Sequence, residues 1–143
     1  MVDERWHQVF DVNVHGPMYL SRAFVRHLQA QGTSRTGDIV CVVSISALTV
    51  GAGAGAYNAS KAAMHKLAEV MQTESRERGW PARVSIVNPA AMNTPMMDQW
   101  HLPDEKMMDP AQVARLVHVA VTLPPDMVLQ TLVVTSRTEN YPR

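Results

Sequence analysis

An α/β fold with a parallel sheet is what the order of patterns along this chain predicts: helix, strand, helix, strand, helix, strand. Ile39-Val40-Cys41-Val42-Val43 is a continuous β-branched run without in–out alternation, so it reads as a strand covered on both faces. A helix-length segment separates each strand candidate from the next, which suits right-handed crossovers between parallel neighbours.

The elements follow in order. From Asp3 to about Gln31 the pattern predicts one long amphipathic helix. Trp6, Phe10, Val14, Leu20, Phe24, Val25 and Leu28 recur at three- and four-residue steps among Arg5, Gln8, Arg22 and Arg26. A polar turn, Gly32 to Asp38, ends it. After the first strand comes a small-residue loop, Ser44 to Ala56. A second helix, rich in good helix formers, is predicted from Tyr57 to about Arg78 and ends at Gly79. Arg83-Val84-Ser85-Ile86-Val87-Asn88 is the second strand, stopped by Pro89. Residues 90–108, with Pro95 and Pro103, read as irregular. Asp109-Pro110-Ala111-Gln112 combines an N-cap acid, a first-turn proline and a glutamine three residues after the cap, opening a helix that runs to about Leu123. Pro124-Pro125-Asp126 is a turn. Leu129 to Thr135 is the last strand, followed by a polar tail. With no repeat or linker, residues 1–143 read as a single domain or a piece of one.

Composition narrows the classes. The chain has 143 residues, 46% hydrophobic and 18% charged, which fits a soluble globular protein. Lys plus Arg equals Asp plus Glu at 13 each, so no field draws nucleic acid or anionic lipid. No apolar stretch reaches membrane-spanning length, and Met1 to Trp6 does not open a signal peptide, so the expectation is a cytoplasmic protein away from membranes. The single cysteine, Cys41, sits in an apolar run and reads as a buried, inert thiol. The six histidines lack ligand spacing, so no metal site is expected. Gly51-x-Gly53-x-x-Ala56 formally matches a dinucleotide fingerprint, but several residues separate it from the preceding strand, and it reads as a lead into the Tyr57 helix. Met92, Met96, Met97, Met107 and Met108 suit an apolar substrate pocket and adaptable packing equally well.

Chemistry is concentrated in Tyr57-Asn58-Ala59-Ser60-Lys61. A spacing of four stacks the phenol and the ammonium on one helical face, one turn apart. A phenol is a weak acid at neutral pH, and a nearby ammonium favours its anionic form, the condition for acid–base work. By itself the pair suits an ordinary surface helix just as well.

Its neighbours single it out. Gly37-Asp38-Ile39-Val40-Cys41-Val42-Val43-Ser44, then Tyr57-Asn58-Ala59-Ser60-Lys61, resembles the active-site signature of the short-chain dehydrogenase/reductase family. Val12-Asn13-Val14-His15-Gly16 resembles that family's Val-Asn-x-x-Gly segment, and Asn88-Pro89-Ala90-Ala91-Met92-Asn93-Thr94 its nicotinamide clasp. The four motifs occur in family order and cover nearly the whole chain. The resemblance implies an oxidoreductase using NAD or NADP, transferring hydride between nicotinamide and an alcohol or carbonyl substrate. By analogy Asn13, Ser44, Tyr57 and Lys61 are catalytic: Tyr57 the acid/base, Ser44 polarising the carbonyl, Asn13 anchoring a proton-relay water. Tyr57, Lys61, Pro89, Met92 and Thr94 are cofactor-binding by the same analogy. Pro17 supplies a physical reason for Asn13, because it has no N–H to give the Asn13 carbonyl. Ser46 is expected to bond within its loop, and Ser60 to pack or cap locally, off the Tyr57–Lys61 line.

The implied fold is a partial Rossmann-like doubly wound parallel sheet of three strands with flanking helices, lacking the N-terminal cofactor-binding half. The glycine-rich phosphate turn and the residue that selects NAD or NADP belong to that half, so cofactor affinity of this chain alone is expected to be poor. Ala90 replaces the family's usual glycine. The expectation is a truncated product, a mis-assigned start, or a fragment needing a complementing half or forming a homo-oligomer. The rival reading is an inactive remnant or interaction module associating through its first two helices.

Overall fold

A computed structural model describes residues 3–32 and 36–138, so part of the predicted polar turn and the end of the polar tail lie outside the described residues. The expected single opening helix is instead three pieces: α1 (Asp3–Phe10), a π-helical segment (Asp11–His15) and α2 (Gly16–Ala30). The interruption has a local cause. Pro17 cannot bond the carbonyl four residues back, and the Gly16 N–H reaches five residues back to the Asp11 carbonyl, which widens the turn. The apolar stripe is also only partly inward. Val25 and Leu28 are buried, whereas Leu20 is 73% exposed.

β1 (Gly37–Val42) begins two residues before its β-branched run, because the ladder extends to Gly37, paired with Ala82. A Cβ there would stand 2.6 Å from Phe24 Cζ and 2.9 Å from Leu28 Cδ1 of α2, so glycine lets these two side-chain ends pack onto the start of the strand. α3 (Gly55–Arg78) starts two residues before Tyr57 and ends at Gly79, whose φ of 61° is left-handed. β2 (Ala82–Pro89), α4 (Pro110–Thr122) and β3 (Thr131–Val134) complete the chain. The Asp109 carboxylate caps α4 by accepting from the Ala111 N–H at 2.8 Å. Gln112 engages Arg115 instead, so the reciprocal half of the expected capping box does not form. Between β2 and α4, the irregular stretch contains two 3₁₀ turns, Pro95–Trp100 and Asp104–Lys106, and a Met92–Met108 bridge.

The strands lie in the order β1-β2-β3, all parallel. One face of the sheet packs Cys41, Val43, Val84 and Ile86 against Met64, Ala68 and Met71 of α3. Val87, completely buried, alternates to the other face, where α4 packs with Val113 and Ala120 inward. Helices therefore cover both faces, giving the doubly wound, Rossmann-like arrangement of three strands. β1 and β3 are its edges, and Val42 on β1 is 48% exposed.

Candidate active site

Parallel strands bring their carboxyl ends to one end of the sheet, where crossover loops gather functional side chains. Val43 N–H donates to the Val87 carbonyl at 2.8 Å, which sets Ser44 level with the end of β2 at Asn88 and Pro89. Ser44 is buried and its Oγ accepts from the Ser46 N–H at 3.1 Å. That bond caps the short 3₁₀ turn Ile45–Ala47, which packs on α3. It uses a lone pair of Ser44 and leaves the hydroxyl proton to donate. Ser46 thus bonds within its loop as expected, through its backbone.

Tyr57 lies in the first turn of α3 and Lys61 one turn later, with the Lys61 ammonium 5.5 Å from the centre of the Tyr57 ring. Both are half-buried. Burial lowers the Lys61 pKa from its ordinary value, because desolvation penalises the ammonium. The small-residue approach to α3 is pinned by Asn58, whose Nδ2 donates to the Thr49 carbonyl at 3.1 Å.

Asn13 reaches this helix through its side chain. Its Nδ2 donates to Ser60 Oγ at 3.0 Å, and Ser60 Oγ donates to the Tyr57 carbonyl at 2.8 Å. Ser60 is completely buried. The local bond matches expectation, and Ser60 in addition joins Asn13 to the helix carrying Tyr57 and Lys61. The signal was present in its spacing, since a serine three residues after Tyr57 can bond that residue's carbonyl.

A cleft of about 810 Å³ lies between α2, the π segment and the free edge of β1. Asn13, Pro17, Leu20, Val40, Lys61 and Met64 are among its walls. Asn13 and Lys61 therefore share a cavity and, with Ser60 and Tyr57, one chain of contacts. Ser44 and Pro89 stand at the same end of the sheet, outside that chain. Pro89 is buried, and Thr94 Oγ1 donates to the Met92 carbonyl at 3.3 Å, holding the start of the 90–97 segment to itself. Cys41 is buried, and desolvation pushes its thiol up to about 11, so it is an inert wall of the cleft.

The donor set suits the sugar end of a nicotinamide cofactor. Lys61 is a partly desolvated cation with no carboxylate partner among the described ion pairs, and it faces a cleft. Nothing comparable among the described residues cradles a pyrophosphate.

A doubly wound α/β sheet with a Tyr–Lys pair at its carboxyl end defines the class, and comparison with known proteins gives the family. Residues 1–105 match the short chain dehydrogenase family, and the chain belongs to it. An uncharacterized oxidoreductase of Staphylococcus aureus is 29% identical over 123 residues, 86% of this chain and 51% of that protein. The chain thus spans about half the length of the curated relatives it matches. Among solved structures, a putative oxidoreductase from Escherichia coli superposes with a TM-score of 0.78 at 27% identity, covering 94% of this chain and 54% of that one. Acetoin dehydrogenase from Salmonella typhimurium gives 0.77 at 27% identity, covering 94% and 55%. An alcohol dehydrogenase from Thermococcus sibiricus, complexed with 5-hydroxy-NADP, gives 0.81 at 23% identity and shares the fold, covering 100% and 58%. No helix among the described residues is long and apolar enough to cross a membrane.

Proposed function

We propose that this chain carries the acid–base half of an NAD- or NADP-dependent alcohol dehydrogenase or carbonyl reductase. Tyr57 exchanges a proton with the substrate oxygen. Lys61 stabilises the phenolate and holds the nicotinamide ribose, and Ser44 donates its free proton to the same substrate oxygen as negative charge grows there. Asn13 orders a relay water at its carbonyl, which Pro17 leaves without its usual helical partner. Pro89, Met92 and Thr94 would hold the nicotinamide, which when bound would supply or accept hydride. The observation that carries this reading is the partly buried Lys61 one turn from Tyr57, whose carbonyl accepts from Ser60, itself the acceptor of Asn13 Nδ2.

The test is titration with NADH and NADPH alongside carbonyl turnover. Tyr57→Phe is expected to keep binding intact while turnover falls on the order of 10²- to 10⁴-fold. Unchanged turnover in that variant removes the assignment.

The free edge of β1, with Val12, Tyr19 and Leu20 exposed, favours a second element of the reading: the chain works against another polypeptide surface, a second copy or a complementing half. Its substrate is a small alcohol or carbonyl compound, its setting the cytoplasm, and nucleic acid and membranes are not its partners. Sedimentation as a stable monomer, combined with failure to bind either cofactor, would favour an inactive remnant.

A further inference from the structure

Twelve residues, 45–56, join Ser44 to Tyr57, and they fall into two parts. The first part secures itself. Ser46 N–H donates to Ser44 Oγ at 3.1 Å, and Ala47 N–H to the Ser44 carbonyl at 3.0 Å. The Ile45 carbonyl accepts from Leu48 N–H at 2.8 Å, Thr49 N–H at 3.1 Å and the Thr49 hydroxyl at 3.2 Å. All of these bonds are local, so Ser44 to Thr49 is one small hydrogen-bonded body.

The second part, Val50 to Ala56, has no such means. It is built of valine, glycine and alanine alone, without a polar side chain. Its three glycines raise the conformational entropy that ordering must overcome. Val50 is fully exposed, and the bond from Ala54 N–H to the Gly51 carbonyl is long at 3.3 Å. Left to itself, this stretch would fix neither the distance nor the direction from Ser44 to Tyr57.

A side chain of α3 crosses the gap. Asn58 Nδ2 donates to the Thr49 carbonyl at 3.1 Å, over nine residues. A backbone carbonyl can only accept, which settles which end of the amide faces it. The Asn58 N–H donates in turn to the Ala54 carbonyl at 2.9 Å. One residue thus holds both ends of the glycine-rich stretch, the near end by backbone and the far end by side chain. Ala47 also packs against the core shared by α3 and the sheet, but an apolar contact is non-directional and leaves sliding along the helix open. The Asn58 bond has direction, and it starts from the residue next to Tyr57.

We propose that Asn58 is a positioning residue: its amide braces the Ser44–Thr49 body against the first turns of α3 and so fixes Ser44 relative to Tyr57. The consequence for catalysis rests on the function proposed above; the brace stands without it.

Backbone hydrogen exchange on the full chain near pH 7, corrected for intrinsic rates, reads the brace. Asn58→Asp keeps the shape of the side chain but offers the Thr49 carbonyl only acceptors. Its charge suits the start of a helix, so its unfolding midpoint in urea should stay at or above that of the wild type. Exchange of the 46–49 and Ala54 amides should nonetheless rise on the order of tenfold, while β2 stays unchanged. The Ser46 amide decides, because its acceptor is Ser44 Oγ. If it stays as protected as in the wild type, Ser44 is placed without Asn58 and the proposal falls. Asn58→Ala should match the Asp variant; a loosened Ala variant beside an unchanged Asp variant would assign the effect to bulk and overturn the brace. Carbonyl turnover with NADH or NADPH adds the catalytic readout. Asn58→Asp should lower kcat on the order of 10- to 100-fold at unchanged cofactor affinity, since misplacement by about 1 Å costs that much. An unchanged kcat beside a loosened Ser46 amide also sinks the positioning role. The two ideas fail separately. A loosened Ser46 amide in a chain that neither binds cofactor nor turns over keeps the brace and removes the function, and turnover beside an unresponsive Ser46 amide does the reverse.

Discussion

The two ends of the sheet are built on opposite terms. At the amino end, Arg83 pairs bidentately with Asp38 across β1 and β2, at 2.7 and 3.1 Å. Its remaining donors meet the carbonyls of Leu123, Pro124 and Met127 at 2.8 to 3.0 Å, with Val121 further off at 3.4 Å. One guanidinium thus satisfies a cross-strand carboxylate and the orphan carbonyls at the end of α4. At the carboxyl end the polar groups are less settled: among the described residues, Lys61 is partly buried without a carboxylate partner, Asn88 Nδ2 has no hydrogen-bond partner, and Ser44 keeps a donor to spare. Paired polar groups gather at one end and polar groups with spare valence at the other. Such local conflicts are where function is expected to reside.

This contrast fails first if the Arg83 end proves dispensable. Arg83→Met leaves Asp38 partly buried and unpaired and frees several carbonyls, so it should lower unfolding stability by about 3 kcal/mol in urea titration. A loss below about 0.5 kcal/mol, the level of an exposed ion pair, would show that the amino end is not the anchor. The next effect belongs to the opposite end. Ser60→Ala removes the acceptor of Asn13 Nδ2 from a partly buried contact whose Ser60 side is completely buried, and should cost about 1 to 2 kcal/mol. Turnover should fall further than stability explains, and Ser60→Thr, which keeps the hydroxyl, should recover part of both. Loss of stability alone would make Ser60 a packing residue.

What the sequence revealed and what it hid divide along the range of the interaction. Strand runs, the Gly79 stop and the Asp109 cap depend on neighbours a few residues away, and each is legible in the chain. Pro17 marked an irregularity, but its outcome as a π segment depends on where the Gly16 N–H finds its acceptor. Gly37 was legible only as part of a turn, because the side chains that pack onto it, Phe24 and Leu28, come from α2. Arg83 lies in a β-branched run and looked like an ordinary strand residue. Its acceptors are some 40 positions away in sequence, and no periodicity encodes them. The Tyr57–Lys61 pair was visible by spacing, while the Asn13–Ser60 and His65–Asn88 contacts exist only once α3 is docked on its neighbours.

The smallest expected change sharpens the contrast most, because its sign is reversed. Burial holds the folded-state pKa of Lys61 below the ordinary lysine value of 10.5. Between those two values the unfolded chain binds more protons, so stability should rise with pH as it climbs through that window toward 10.5. Below the window the charged lysine carries its full desolvation cost. Lys61→Met removes that cost and should flatten the alkaline rise. Because the side chain is only half-buried, solvent screening limits the gain at neutral pH to about 1 kcal/mol or less. The same replacement, cation to methionine, is thus expected to weaken the fold at Arg83 and to strengthen it at Lys61. A destabilised Lys61→Met protein would mean that the ammonium has a partner that supports the fold, and the division of labour between the two ends would be lost.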